Sequence, residues 1–456
     1  MTLQAIKKRL LDLAIRGSLV PQIESEGTAD DILQAIAKEQ KTKTSFSEIP
    51  ESEQPFSIPS SWRWVRLGEI VNYFSTGPFG TMLHKEDYCK DGIPVVNPTN
   101  IKDNKISDIK IERVSIETAN RLKSYKLSKG DFVLARRGDL SKIAIVSNDE
   151  DGWVCGTGSF FLNLRYVINE FFVCLYNTSF IQDYLLKHSS GSTMANLNQK
   201  TLFGLPIPLP PLSEQTRIVT KLETMLTEID GLEQSQKEID GLKTAIWRRC
   251  LSEAISGRLT TQQPSDGSAD DLLEQIKAAH REAFATTQKK YKPLTFSPIP
   301  DSEIPFEIPE NWRWVRLGEI AEVINGKNQK EVVDKNGEYP IYGSGGIIGR
   351  ANSYLCPENC TIIGRKGTIN NPIYVETKFW NVDTAFGMSP FKPINPKYYF
   401  YFCKSFNFAK LDTSTAVPSL TKNNIQRIPF PLPPLSEQLR IVTKLEKLRS
   451  ALDKRG

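Results

Sequence analysis

PLPPLSEQTRIVTKLE, residues 208–223, returns as PLPPLSEQLRIVTKLE at 431–446, with one letter in sixteen changed. So long a string written twice makes the chain two copies of one unit, and other stretches repeat around it. WRWVRLGEI at 62–70 recurs unchanged at 312–320, and FSIPSSW (56–62) returns as FEIPENW (306–312). AIRGSLVPQIESEGTADDIL (14–33) aligns with AISGRLTTQQPSDGSADDLL (254–273). The copies lie 223, 250, 250 and 240 residues apart respectively. Each unit is therefore a shared frame around a segment that differs in length and in letters.

After the first PLPPLSEQ, Ile218, Leu222, Met225, Ile229, Leu232, Ile239 and Ile246 follow in steps of three and four, a coiled-coil rhythm interrupted by Gln236 and Lys243. This predicts a helix of about 40 residues, roughly 60 Å long. Ser213 is expected as its N-cap, and Glu214 suits the positive end of the helix dipole. Pro210 and Pro211 stiffen the approach, and Gly257 is the expected stop. The second copy carries Ile441, Leu445, Leu448 and Leu452 in the same spacing, but reaches Gly456 with half the helix unwritten. The other half is found at the start, where Leu3, Ile6 and Leu10 precede AIRGSL as Lys243, Ile246 and Cys250 precede AISGRL. The sequence reads as a circle of two units opened inside one helix, with the two equivalent helices expected side by side and antiparallel.

Between the frames, stretches such as DFVLARRG and NCTIIGRKGTINNPIYV read as short strands with turns. The expected fold class is α+β: two β-rich domains separated by two long antiparallel coiled-coil helices. The boundaries are 1–61 for half a split helix and connector, 62–206 for the first β-rich domain, and 207–311 for the central long helix and connector. The second β-rich domain is then 312–429 and the other half helix 430–456.

Charged residues make up 24% and hydrophobic ones 39% of the chain, which excludes a disordered protein. No apolar run approaches the roughly 18 residues a membrane span needs. The amphipathic start lacks a small-residue cleavage site, so the chain is expected in the cytoplasm. The seven cysteines, an odd number, point to reduced thiols. Cys356 and Cys360, four apart, lack a second pair, and with only three histidines no structural metal is expected. Net charge is +5, yet residues 62–206 carry +3 and 312–429 carry +6. Positive charge gathered in two blocks suits a protein that grips phosphates at two places.

Taken together, these motifs resemble the DNA-specificity subunits of Type I restriction-modification systems. The carriers are the paired PLPPLSEQ helices, the paired WRWVRLGEI openings, GDFVLARRG (130–138), RKGTINNPIYV (365–375) and WNVDTAFGM (380–388). The resemblance covers essentially the whole chain. It implies that each variable segment is a target recognition domain reading one half of a bipartite sequence in double-stranded DNA. It further implies that the helices set the spacing and that the frame docks two methyltransferase subunits, to which endonuclease subunits attach. The chain itself would then perform no chemistry and need no cofactor.

The residues agree with that reading. No GxxxxGK[ST] loop is present. Asn371-Pro372-Ile373-Tyr374 resembles the NPPY loop with which amino-methyltransferases hold a base, but Ile373 replaces the second proline, and a plain turn is the expected role. Trp62, Trp64, Trp312 and Trp314 belong to the shared frame, so they are read as core or partner surface rather than as base-stacking residues.

For DNA contact, aligning LARRGD with IGRKGT pairs Arg136 with Arg365, Arg137 with Lys366 and Gly138 with Gly367. Glycine lets backbone approach a phosphate, and Arg can take guanine bidentately. Lys142 follows in the first of these stretches and joins the set. A polar run before each proline-rich exit supplies Ser192, Thr193, Asn196, Asn198, Gln199 and Lys200, then Thr413, Ser414, Thr415, Ser419, Thr421 and Lys422. Lys200 and Lys422 are read as phosphate contacts. Asn328, Gln329 and Lys330 of GKNQK, with Lys85 in the matching place, complete the candidates. Two other readings stand beside this one: a DNA-binding regulator that works without enzyme partners, and a methyltransferase with unrecognised motifs.

Overall fold

In a computed structural model, the paired prolines before residue 212 and the glycine at 257 delimit one helix, Leu212–Ile255, of 44 residues, about 66 Å at 1.5 Å per residue. Gly257 takes φ +74°, and the Arg258 N–H returns to the Glu253 carbonyl at 2.9 Å, the left-handed closure that favours glycine. Ser213 is not the cap: the helix begins at Leu212, two residues earlier than expected. Described are residues 2–39, 46, 48–79, 81–190, 195–285, 293–412 and 417–454. They form two units, Met1–Gln236 and Lys237–Gly456.

In the first unit, helix Leu3–Ile15, capped by the Thr2 side chain, runs antiparallel to the early part of the long helix. Lys7 Nζ reaches Asp230 at 2.6 Å and Glu233 at 3.0 Å. Leu10, Ala14 and Ile15 are buried with Ile218, Leu222 and Ile229, and Met225 packs partly against them. A four-stranded antiparallel sheet follows in the order Val71–Thr76, Ser159–Leu164, Phe132–Ala135, Ile143–Ile145. Helix Asn169–Tyr176 lays Phe171, Phe172 and Tyr176 on it. A second sheet orders Val154–Cys155, Ile93–Val96, Glu112–Val114 and Tyr88–Cys89.

The second unit repeats the main sheet as Ala321–Asn325, Ala385–Pro390, Cys360–Gly364, Ile373–Val375. Helix Pro396–Ser405 covers it with Tyr398, Tyr399 and Phe402. The second sheet here has three strands, with hairpin Tyr339–Gly343/Gly346–Ala351 flanked by Trp380–Asn381. Helix Leu435–Asp453 lies antiparallel to the late part of the long helix: Lys444 Nζ reaches the Leu259 carbonyl at 2.7 Å, and the Arg449 guanidinium lies 5.4 Å from the Trp247 ring. Ile441 and Leu445 are buried and Leu448 and Leu452 half-buried, whereas Leu232, Ile239 and Ile246 stand 59%, 44% and 49% exposed. The apolar rhythm therefore does not close into one continuous buried seam.

The duplicated letters have a common structural purpose. Strand Arg63–Arg66 pairs with Pro206–Leu209, and Arg313–Arg316 pairs with Pro429–Leu432, so the two ends of each variable segment are zipped together. Trp62 Nε1 donates to Glu214 at 2.9 Å, as Trp312 Nε1 donates to Glu437 at 2.8 Å. Gln22 and Gln262 donate to the same two carboxylates at 2.6 and 2.8 Å. Gln215 Oε1 accepts the Ile168 N–H and Gln438 Oε1 the Asn395 N–H, at 2.8 and 2.9 Å. Arg217 grips Glu26 and the Pro21 carbonyl as Arg440 grips Asp266 and the Thr261 carbonyl. Thus S-E-Q-x-R fastens helix, connector and β-rich domain in each unit. Buried charges and amides persist only where such partners satisfy them. Trp62 and Trp312 are each 1% exposed, as expected for core.

Candidate nucleic-acid interface

Arg136 follows immediately on strand Phe132–Ala135, and Arg365 on strand Cys360–Gly364. In both units the backbone ties this basic loop to the polar run before the exit. The Leu197 N–H donates to the Arg136 carbonyl at 2.9 Å, and the Gly138 N–H to the Ala195 carbonyl at 3.0 Å. Likewise the Leu420 N–H donates to the Arg365 carbonyl at 2.8 Å, and the Gly367 N–H to the Pro418 carbonyl at 3.0 Å. Arg137 bridges Asn196, and Lys366 bridges Ser419. The two stretches picked out separately in the sequence thus form one surface in each unit. Gly138 and Gly367 sit at φ +80° and +77°, where a side chain would be strained.

The side chains differ in readiness. Arg137, Arg365 and Lys366 are exposed. Arg136 is half-buried, 5.9 Å from the Phe160 ring and 6.0 Å from that of Phe79. Burial, and then the neighbouring Arg137, lower its pKa from the ordinary arginine value. Arg365 donates one bond to the Asp383 carbonyl at 3.3 Å, and its guanidinium lies 6.0 Å from the Phe386 ring. Lys200 is exposed on the short helix Gln199–Phe203, which Asn198 caps. Lys85 is exposed at the start of a single 3-10 turn. Asn328 and Lys330 are exposed, and the Asn328 side chain accepts the Lys330 N–H at 2.9 Å, closing a local turn.

Two candidates are engaged in holding the fold. Lys142 Nζ donates to the Pro98 carbonyl and Lys422 Nζ to the Val323 carbonyl, at 2.9 and 2.8 Å. Each ammonium keeps further donors, but its position is set by that internal bond. Thr421 caps helix Lys422–Gln426. Ser192, Thr193, Thr413, Ser414 and Thr415 lie outside the described residues. Asn371 Oδ1 accepts Lys404 Nζ, and the Tyr374 hydroxyl donates to Asn359, both at 2.9 Å, so the NPIY stretch is held as a turn and strand.

Sequence reasoning missed the apolar neighbours of these loops. Phe79 stands exposed beside Arg136, and Ile347 and Ile348 stand exposed at the hairpin tip. The signal for the two isoleucines was YGSGGIIG (342–349), a glycine turn followed at once by β-branched residues. Among the described residues no cluster of His, Cys, Asp and Glu is arranged to hold a metal ion, and no helix is long and apolar enough to cross a membrane. Cys356 and Cys360 are both buried, which pushes the Cys360 thiol up to about 11.

Residues 59–240 and 309–455 match the family described as Type I restriction modification DNA specificity domain. The chain is similar to the Type I restriction enzyme EcoAI specificity subunit of Escherichia coli, 25% identical over 570 aligned positions that cover 99% of this chain and 90% of that one. Its fold resembles that of the HsdS subunit from Thermoanaerobacter tengcongensis, with TM-score 0.52 and 21% identity over 88% of this chain and 93% of that one. A structure concerned with complex assembly and conformational transition of the type I R-M system aligns with TM-score 0.58 and 22% identity, again over 88% and 93%.

Proposed function

The chain belongs to the Type I restriction-modification DNA specificity family, and from that premise we propose that it chooses an asymmetric bipartite DNA site for partner enzymes. Each unit reads one half-site through its basic loop and the polar run tied to it. Arg137, Arg365, Lys366 and Lys200 hold phosphates or guanine edges, with Arg136, Asn328 and Lys330 beside them. The observation that carries the proposal is the repeated backbone tie between loop and polar run. The same tie presents different residues in the two units, as two reading heads on one frame require.

Two methyltransferase subunits dock on the frame, and endonuclease subunits join through them. We assign Leu232, Ile239 and Ile246, exposed along the long helix, to contacts with those partners, because apolar residues in heptad spacing seek a matching face. The chain's own part is binding, in the cytoplasm, without catalysis and without a cofactor.

Sequencing the methylome of a host with and without this gene tests the proposal. We expect adenine methylation in one two-part, non-palindromic motif, lost on deletion. An unchanged methylome, or a contiguous palindromic motif, would refute it.

A further inference from the structure

The second unit carries an exposed apolar tip that neither frame nor core explains. Hairpin Tyr339–Gly343/Gly346–Ala351 turns through Ser344 and Gly345, and Ile347 and Ile348 follow at 64% and 58% exposure. A Cβ added at Gly345 or Gly346 would meet nothing within 4 Å, so the tip stands clear of the domain. Two adjacent isoleucines there leave in water the kind of surface whose burial ordinarily drives folding. The tip borders the basic loop. Ser344 Oγ lies 3.7 Å from where a Cβ of Gly367 would stand. A Cβ added at Gly343 would meet Ile348 Cγ2 at 3.7 Å and Thr384 Oγ1 at 3.8 Å. The Thr384 carbonyl in turn accepts the Arg365 N–H at 2.8 Å. Asp383, exposed on the neighbouring turn, is the acid closest in sequence to that carbonyl.

We infer that this tip reads thymine: Ile347, with Ile348 behind it, covers the 5-methyl group of a thymine in the half-site of the second unit. The inference rests on the DNA-reading role proposed above and names the chemistry of one of its contacts. The major groove, about 12 Å wide, admits a two-stranded β-ribbon, whereas the minor groove is about half that width. Among the groove-edge features that distinguish bases, the thymine methyl is the apolar one. Arg365 and Lys366 beside the tip supply the charge that draws it to the backbone on either side. Ile347 pairs with Tyr342 and Gly349 with Ile341, which leaves Ile348 at a bulge; with Ile348 turned toward Gly343 and Ile347 the more exposed of the two, Ile347 is the one presented outward. Its branched Cβ restricts it to few rotamers, which sharpens the choice of base.

The test uses the full chain in complex with its partner subunits and the target found by methylome sequencing. Each thymine is replaced in turn by deoxyuridine, which removes only the methyl group. One or two positions, all in one half-site, are expected to weaken binding about fourfold each, the equivalent of about 0.8 kcal/mol per buried methyl. The Ile347→Ala complex should bind the unmodified target weaker by a similar factor and be indifferent to deoxyuridine at those positions. Retained deoxyuridine sensitivity in that variant would overturn the inference, as would a half-site dependent on Arg365 that contains no T·A pair. Brightening of 2-aminopurine beside a base step, without any deoxyuridine effect, would mean insertion between bases and would also overturn it. A selective complex blind to every deoxyuridine refutes methyl reading alone. A wild-type complex with no sequence preference removes the broader proposal as well.

Discussion

Glu214→Gln keeps the shape of a side chain that is 1% exposed and removes its charge. The carboxylate accepts Trp62 Nε1 at 2.9 Å and Gln22 Nε2 at 2.6 Å. A glutamine offers one oxygen, so one of these two donors must face an amide N–H. The loss is one hydrogen bond to a charged acceptor, about 1.5–3 kcal/mol. Part of it is returned, because burial already raises the Glu214 pKa above the ordinary glutamate value, and the variant no longer buries a charge. The net cost is about 1–2 kcal/mol, equivalent to about 5–30-fold in the opening equilibrium. Hydrogen exchange reads this directly: peptides from 62–66 and 206–222 should lose protection by that factor, while 312–316 and 429–445 keep theirs. Glu437→Gln should reverse the pattern. The sign with pH follows from the raised pKa. The folded state holds this proton more readily than the unfolded one, so the group's contribution to stability falls as pH rises above the usual glutamate range. The variant should lack that slope. A loss of protection below threefold, or equal losses in both units, would refute the role assigned to this carboxylate.

Arg365→Ala and Lys366→Ala should each weaken DNA binding by about 1–3 kcal/mol or relax choice in one half-site only; unchanged methylation profiles in both would count against the site. Lys422→Met should instead lower stability slightly without altering the salt dependence of binding, because its ammonium is held by the Val323 carbonyl; a salt slope reduced by about one unit would show a phosphate contact. Asp266 is held below the ordinary carboxylate range chiefly by its hydrogen bond to Arg440. Its contribution is therefore full above the ordinary aspartate pKa and lost as pH falls below it, so Arg440→Met should flatten the acid limb of unfolding in the second unit. A chain joined from Gly456 to Met1 and reopened between 233 and 241 should fold and support methylation, and failure to fold would defeat the reading of the sequence as a circle.

The frame was legible because it is written twice: the helix start, the tryptophan strands and the Gly257 stop could each be checked against a copy. Ser213 misled because serine before an apolar run signals a cap, whereas here proline opens the helix and the first turn spends Glu214 and Gln215 on tertiary bonds. Leu232, Ile239 and Ile246 carry the heptad rhythm but stand exposed, since periodicity states which face is apolar and not what covers it. Joining Arg136 to Leu197 and Arg365 to Leu420 depends on backbone groups, which carry no side-chain signature. Lys142 and Lys422 show the converse limit, for a lysine in a polar run looks the same whether it faces solvent or a buried carbonyl. The isoleucine tip has no counterpart in the first copy, so a search by recurrence passes over it.

The short antiparallel clasp of Arg63–Arg66 with Pro206–Leu209, repeated as Arg313–Arg316 with Pro429–Leu432, has a consequence for inheritance. Whatever lies beyond each clasp begins and finishes at neighbouring points, and where the frame glutamines Gln215 and Gln438 reach into it they take the backbone N–H groups of Ile168 and Asn395, which any residue can offer. Closing loops as unequal as these two differs by only about 0.2 kcal/mol in chain entropy. A lineage could therefore trade one cassette for another of different size and acquire a new address on the genome while every joint of the chassis stays as it was.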